Sequence, residues 1–195
     1  MPWYLEAMVA TDEALMRQVQ SGDLSVFEEL VRRYRQPLFR VTSSKLGDRS
    51  VAEDVVQEAL LAAFAARHTF DPHFSFRTWL WTIALRLCHK HWKRSASPRS
   101  SAVVCDPAQT ESATSAAVGV LEGLLQSERS ELLQQALTEL PEPQADALRL
   151  RFFGGLPYDE IAAAMDSSVS GAKQRVKHGL ERLAERLKTL SGVES

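Results

Sequence analysis

The sequence predicts an all-α protein: two small helical domains joined by a flexible linker, with a helix-turn-helix in the C-terminal domain. Three observations lead there. Apolar residues recur at three- and four-residue steps through nearly every strong segment, and no stretch alternates as a strand would. From Ser95 the composition turns small, polar and non-periodic, which is linker composition. Prolines and glycines then cut the C-terminal third into short helices. The boundaries this gives are 12–95, 96–129 and 130–190.

Taken in order, Ser25-Val26-Phe27-Glu28 reads as a capping box. It precedes an amphipathic helix with Phe27, Leu30, Val31, Tyr34 and Leu38 on one face. Gly47-Asp48 interrupts, and Ser50-Val51-Ala52-Glu53 reads as a second capping box. That box opens a helix to about Ala66, with Val51, Val55, Ala59, Ala62 and Ala63 on its apolar side. Phe70-Asp71-Pro72-His73 is a turn, and a helix rich in aromatic and basic residues runs from about Phe76 to Arg94. The linker is acidic: Asp106, Glu111, Glu122 and Glu128 stand against Arg129 between Ala102 and Ser130, and 118–125 is apolar enough for a short helix. Beyond it, Pro141 and Pro143 separate two helices, Pro143 suiting a first helical position. Gly154-Gly155 ends one helix and Pro157 opens the next.

The bulk numbers bound the function. The chain has 195 residues, 45% of them hydrophobic and 25% charged, which suits one ordinary domain or two small ones. A formal net charge of −2 argues against coating nucleic acid by bulk charge, though not against local basic surfaces. No apolar run approaches the roughly 20 residues of a membrane span. Met1 to Glu6 lacks a basic n-region followed by an apolar stretch, so a cytoplasmic protein without membrane insertion is expected. The two cysteines, Cys88 and Cys105, form no Cys-x-x-Cys pair, and no disulfide framework is expected.

The segment from Pro157 to His178 is the most informative. Ile161, Ala162 and Met165 give a first helix its buried face, Asp166-Ser167-Ser168 supplies a turn, and Ser168 is an N-cap. In the second helix Val169, Ala172, Val176 and Leu183 face inward, while Lys173, Gln174, Lys177 and His178 project together on the other side. This is the geometry of a helix-turn-helix whose second helix enters the major groove. Lysine and glutamine read guanine and adenine edges, and Arg175 and Arg182 are suited to phosphates. The bland alternative is a helical hairpin with a solvated basic face. Gly171 and Gly179 inside this helix each cost roughly 1 kcal/mol relative to alanine.

Two further surfaces stand out. Asp54, Gln57, Glu58 and Leu61 form a polar, acidic stripe ending in an apolar residue, suited to a basic partner helix. Arg77, Trp79, Trp81, Arg86, Lys90, Trp92, Lys93 and Arg94 mix rings with cations, as single-stranded nucleic acid requires: bases stack on rings while cations neutralise phosphates. Solvated faces and core aromatics are the ordinary explanations for such patterns taken singly.

Together these segments carry a resemblance to the extracytoplasmic-function (ECF) sigma factors of the sigma-70 family. Ala52-Glu53-Asp54-Val55-Val56-Gln57-Glu58-Ala59 resembles their polymerase-binding helix. The run from Phe74 to Ala84 resembles their promoter-opening segment, and Leu140 through Leu187 their C-terminal domain. The three occur in the family's order, with a linker between. The resemblance implies a bacterial sigma factor that directs core RNA polymerase to specific promoters and has no catalytic site, metal or cofactor. It implies that Asp54, Gln57, Glu58 and Leu61 bind the clamp helices of the largest polymerase subunit. It assigns the minus-ten element to Phe70, Phe74, Ser75, Phe76, Arg77, Trp79, Arg86, Lys90, Lys93 and Arg94, with the loop from Phe70 to Ser75 receiving a flipped base. It assigns the minus-thirty-five element to Ser170, Lys173, Gln174, Arg175, Lys177 and His178. Partners implied are core polymerase, promoter DNA and an anti-sigma factor, and the linker is implied to thread toward the RNA exit path. Arg86 and Lys90 stand where the family commonly has Asn and Asp, and Asp166 stands where it has a turn glycine.

Other classes fit less well. No Walker loop, glycine-rich dinucleotide turn or nucleophile elbow occurs. Cys88, His89 and His91 lie close in sequence, but residues one or two apart on a helix do not face each other, and zinc sites present better-spaced ligands. A free-standing helix-turn-helix regulator explains the C-terminal segment equally well, but not the acidic stripe or the aromatic-basic helix.

Overall fold

A computed structural model describes residues 10–95 and 130–190, with side chains up to Lys93 in the first span. Helix α1 (Asp12–Gln20) starts at Thr11, whose Oγ1 accepts from the Ala14 N–H. A 3-10 turn (Leu24–Val26) leads into α2 (Phe27–Leu46). Helix α3 (Arg49–Ala65), a 3-10 turn (Arg67–Thr69) and α4 (Phe76–Ser95) complete the first domain. The second has α5 (130–138), α6 (Glu142–Leu148) running on as a π-helical turn (Arg149–Phe153), α7 (Tyr158–Ala164) and α8 (Val169–Leu190). Among the described residues there is no strand. The linker 96–129, with its proposed short helix, lies outside the described residues.

Both predicted capping boxes are misplaced. Ser25 sits in the 3-10 turn with its hydroxyl donating to Asp23 Oδ1, so α2 begins without a side-chain cap. Helix α3 is capped by Asp48, whose Oδ1 accepts from the Val51 N–H, and Ser50 is already inside the helix. At α3 the aspartate two residues upstream of the serine takes the capping role, while Asp23 only accepts the Ser25 hydroxyl. Gly47 ends α2 in the left-handed region at φ 72°, where lack of a Cβ removes the steric penalty. Pro143 takes the second helical position of α6, with Pro141 as the cap residue.

In the first domain α3 lies between α2 and α4, and α1 crosses α2 and α4. Leu30, Tyr34, Leu38, Val55, Ala59, Ala63, Leu80 and Ala84 are buried there. Val31, Val51 and Ala62, expected on the apolar faces, are half-buried. Tyr34 donates its hydroxyl to Asp12, and burial, then that carboxylate, pushes the phenol well above its ordinary range. Arg33 bonds the same Asp12 at 2.6 Å, which ties α1 to α2.

In the second domain, buried Gly179 explains a glycine that helix propensity alone disfavours. A Cβ there would lie 3.0 Å from Leu148 Cδ1 and Cγ, so α6 and α8 cross closely and an added methyl would press on the buried Leu148 side chain. Gly179→Ala is therefore expected to lose stability by about 1 kcal/mol: overpacking of roughly 1–3 kcal/mol outweighs a propensity gain of roughly 1 kcal/mol. Urea denaturation measures it; a gain in stability would contradict the packing.

The two domains are packed together, α4 against α7 and α2 against the π-helical turn. At their junction Lys45, its side chain 4% exposed, donates to Glu142 Oε1 at 2.8 Å and Asp146 Oδ2 at 2.6 Å. Buried Arg149 donates to Asp146 Oδ1 at 3.1 Å and Ser44 Oγ at 3.2 Å. Burial opposes ionisation of Glu142, but the Lys45 bond and charge, with His89, hold its carboxyl below the ordinary range. A lowered folded value gives stability that is present at neutral pH and lost as pH falls through the carboxylate range. The domain contact is expected to loosen as pH falls below the ordinary carboxylate range. Small-angle scattering would show the radius of gyration rising before helical circular dichroism is lost; coincident loss of both would contradict this.

Candidate nucleic-acid interface

Helix α3 presents Asp54, Gln57 and Leu61 to solvent, Leu61 at 60% exposure, with Glu58 half-buried beside them. The four border a shallow depression with Ala62 and Ala65. The same helix also walls a groove of about 1200 Å³ shared with α2, floored by Phe27, Val56, Leu60 and Phe64. Its opposite wall, on α2, carries Arg32 and Arg35, and Arg49 stands at the start of α3; no motif in the sequence marks these arginines as a site. Glu58 already has partners in the chain: Lys90 Nζ and His91 Nε2, each at 3.0 Å. The bonds from His91 and Lys90 hold its carboxyl below the ordinary range.

The residues expected around the minus-ten element lie in different surroundings. Phe70 and Phe76 are buried, packed edge to face at 5.6 Å. Trp79 is half-buried against both rings at 5.2 and 5.8 Å, so these aromatics build the wall of α4. Ser75 caps α4, its Oγ accepting from the Thr78 N–H, while Glu13 of α1 accepts from the Phe76 N–H at 2.9 Å. Phe74, in contrast, is 69% exposed at the tip of a turn in which Asp71 Oδ1 accepts from the His73 N–H. Arg86, Lys90 and Lys93 are exposed along α4. Arg77 instead turns toward the second domain. It donates to the carbonyls of Gly154 at 3.0 Å and Gly155 at 2.9 Å, and its Nε lies 3.5 Å from Glu160 Oε2. The Arg94 side chain lies outside the described residues.

The helix-turn-helix forms from α7 and α8. Ser168 Oγ accepts from the Gly171 N–H at 3.1 Å, which caps α8 as the sequence predicts. Asp166 takes φ 49° in the turn, the left-handed conformation expected of a position that favours glycine. Ile161, Ala162, Ala172 and Val176 are buried between the helices; Met165 and Leu183 are half-buried. Val169, expected inside, is 43% exposed at the first position of α8. Ser170, Lys173, Gln174, Lys177 and His178 are exposed together along α8. Glu181 lies 3.1 Å from His178 and 4.0 Å from Lys177, and Lys173 Nζ stands 5.9 Å over the Tyr158 ring. Arg175 is set apart from this row: it lines the cleft between the domains with Arg86 and His89.

The cysteine–histidine run does not converge. His89 reaches Glu142 at 3.2 Å and His91 reaches Glu58, while Cys88 points into the core at 1% exposure. Among the described residues no group of three such side chains is placed to hold a metal ion. Burial pushes the Cys88 thiol up to about 12. Since the thiolate is the nucleophile, Cys88 is expected to resist iodoacetamide at pH 8 in the folded protein and to react on denaturation, as mass spectrometry would show. Rapid labelling of folded protein would contradict that burial. No helix among the described residues is long and apolar enough to cross a membrane.

Comparison with known proteins fits this arrangement. Residues 30–97 match the family model for sigma-70 region 2, and residues 130–183 that for sigma-70 region 4. The chain is 30% identical over 183 residues to the RNA polymerase sigma-H factor of Pseudomonas aeruginosa, covering 92% of this chain and 95% of that protein. It is 29% identical over 184 residues to the ECF RNA polymerase sigma-E factor of Escherichia coli K12, covering 92% and 96%. Among solved structures, the fold is shared with CnrH in complex with the cytosolic domain of CnrY, at TM-score 0.71 and 23% identity over 92% of this chain and 99% of that one. It is also shared with the sigma factor RpoE in complex with the anti-sigma factor NepR from Bartonella quintana, at TM-score 0.63 and 24% identity over 83% and 96%. With a region 2 domain carrying the acidic stripe and a region 4 domain carrying the helix-turn-helix, the chain belongs to the ECF sigma factors of the sigma-70 family.

Proposed function

We propose that this sigma factor docks on core RNA polymerase through the α2–α3 face, reads the minus-thirty-five element with α8 and melts the minus-ten element with α4 and the Phe70–Ser75 turn. The observation that carries the reading is the separation of three exposed surfaces of different chemistry on one chain: an acidic stripe beside an apolar groove, a lone exposed ring before a basic helix, and a cationic row on a helix-turn-helix. Asp54, Gln57, Glu58 and Leu61 meet a basic partner helix seated on the groove. Lys173, Gln174, Lys177 and His178, with Ser170 at the helix start, face base edges and phosphates. Phe74 offers a face on which an unstacked base can lie, while Lys93 and Arg86 neutralise nearby phosphates. Phe70, Phe76 and Trp79 support that loop from beneath. Docking fixes the spacing of the two DNA-reading domains, so that two modest affinities combine into one specific one. Melting energy comes from captured bases, and the chain performs no catalysis of its own. An anti-sigma factor is a further proposed partner, supported by the similar sigma factor whose solved structure holds NepR.

Permanganate reactivity of unpaired thymines tests the melting step. Holoenzyme on a dependent promoter is expected to expose minus-ten thymines, and Phe74→Ala to lose most of that signal while retaining core binding. Full opening by Phe74→Ala would remove Phe74 from the base pocket.

A further inference from the structure

Helix α1 carries no residue of the three proposed surfaces, yet two of its side chains hold the backbone on either side of the Phe70–Ser75 turn. At the entry, half-buried Gln20 donates its side-chain amide to the carbonyls of Arg67 and Phe70, each at 2.7 Å. At the exit, half-buried Glu13 accepts from the Phe76 N–H at 2.9 Å. That N–H belongs to the first residue of α4 and has no acceptor within its own helix. A carboxylate there also meets the positive end of the helix dipole. Glu13 and Gln20 stand seven residues apart. At helical pitch that is just under two turns, which puts them on one face of α1 about 10 Å apart.

Helix α1 is itself a fixed support. Leu15, Met16 and Val19 bury its apolar face in the domain core, and Asp12 ties its first turn to Arg33 and Tyr34 of α2. From that support Gln20 and Glu13 reach main chain 47 to 63 residues away in sequence. The turn shapes its own tip: Asp71 accepts from the His73 N–H with its side chain and from the Phe74 N–H with its carbonyl. Those bonds are internal and do not fix the tip relative to the domain. The α1 bonds do, together with the buried Phe70 and Phe76 rings at the two ends. Phe74, 69% exposed, is thus a ring on a short arm held on both sides. A ring that receives an unstacked base binds it better when its loop is ordered beforehand, because less conformational freedom is lost on binding.

We propose that Glu13 and Gln20 are positioning residues for base capture: together they clamp the Phe70–Ser75 turn at both ends and set where Phe74 meets the flipped minus-ten base. The inference rests on the role proposed above for that turn. It extends that role to a helix outside the matched region 2 residues, 30–97. Neither side chain needs to touch DNA, since each acts through Phe74. Loss of one clamp lets the ring drift from the position in which stacking is strongest. Displacing the ring forfeits part of one base stack, an effect of about tenfold.

The test uses holoenzyme containing the full chain. Rates of open-complex formation are measured on a dependent promoter and on variants carrying each of the four bases at every minus-ten position. The unaltered protein is expected to discriminate strongly at the position of the flipped base, and Phe74→Ala to lose that preference. Gln20→Met removes two donors at nearly equal size, and Glu13→Met removes the acceptor. Each is expected to slow opening about tenfold and to flatten the preference at that same position alone, with core binding and minus-thirty-five duplex binding unchanged. Glu13→Gln keeps an acceptor oxygen and is expected to keep the preference. Added to Phe74→Ala, Gln20→Met is expected to slow opening no further. A chain that is merely destabilised loses active molecules equally on every promoter, so the ratio between bases reports position rather than folding. An unchanged ratio in Gln20→Met and Glu13→Met, or a full additional loss on top of Phe74→Ala, would overturn the positioning role. If Gln20→Met does not fold, the pair Glu13→Met and Glu13→Gln decides by the same ratio. Preference retained in full by Phe74→Ala would refute the base pocket itself, and the positioning role with it.

Discussion

Asp54→Arg combined with Leu61→Ala is expected to weaken core-polymerase binding by about a hundredfold or more, with helix content and duplex binding unchanged. Leu61 is a large apolar side chain left 60% exposed on an otherwise well-packed helix. Burying such a side chain against a partner is worth roughly 1.5–3 kcal/mol. Asp54 is exposed beside it, and reversing a charge that faces a basic partner adds a like-charge penalty of several kcal/mol when the contact is desolvated. About 2.8 kcal/mol in total corresponds to a hundredfold. Glu58 is the poorer choice for this experiment, because its reversal would also repel Lys90 and His91 within the chain. Fluorescence anisotropy with purified core measures the effect. Affinity within threefold of the unaltered protein would move the docking surface elsewhere, most directly to the Arg32 and Arg35 wall of the same groove.

Lys173→Ala with Lys177→Ala is expected to produce the complementary defect: about a hundredfold loss in binding to a minus-thirty-five duplex, with core binding intact. Both side chains are exposed one turn apart on α8 and do not contribute to the buried face formed by Ala172 and Val176. Each good contact to a base edge is worth roughly 1–3 kcal/mol. If both meet phosphates, the slope of log affinity against log salt falls by about 2. If they read bases, discrimination among promoters falls while the slope changes little. A defect common to both this pair and the Asp54–Leu61 pair would contradict the division of labour between the domains.

Much of this was legible in the sequence because it rests on local chemistry. Helical periodicity located α2, α3 and α4. Ser168 was readable as the cap of α8, since the signal lies within three residues of the N–H it satisfies. The left-handed Asp166 followed from the resemblance, which places it where the family has a turn glycine. Errors arose where two local signals competed, as with Ser50 against Asp48, and where a serine bonded a neighbouring side chain in place of the helix end, as Ser25 does with Asp23. Helix α1 was not predicted at all: its Thr11 cap and three buried residues form a pattern too short to stand out.

What the sequence withheld is long-range. Lys45 reads as a solvated lysine at a helix end, and its partners lie 97 and 101 residues away. Arg77 and Arg175 belong to cationic patterns in the sequence, yet each side chain turns to the cleft between domains. Phe70 and Phe76 satisfy an aromatic-basic pattern that spacing alone cannot sort into core and surface. Gly179 reads as a weakness of its helix until the Leu148 side chain opposite it is known.

The measurement that tests the central claim most directly is transcription in vitro from genomic promoter fragments, using purified core polymerase with and without this protein. The account predicts transcripts that require the protein, lost with Asp54→Arg/Leu61→Ala and with Lys173→Ala/Lys177→Ala for different reasons. Core polymerase that neither binds the protein nor initiates from any fragment in its presence would contradict it.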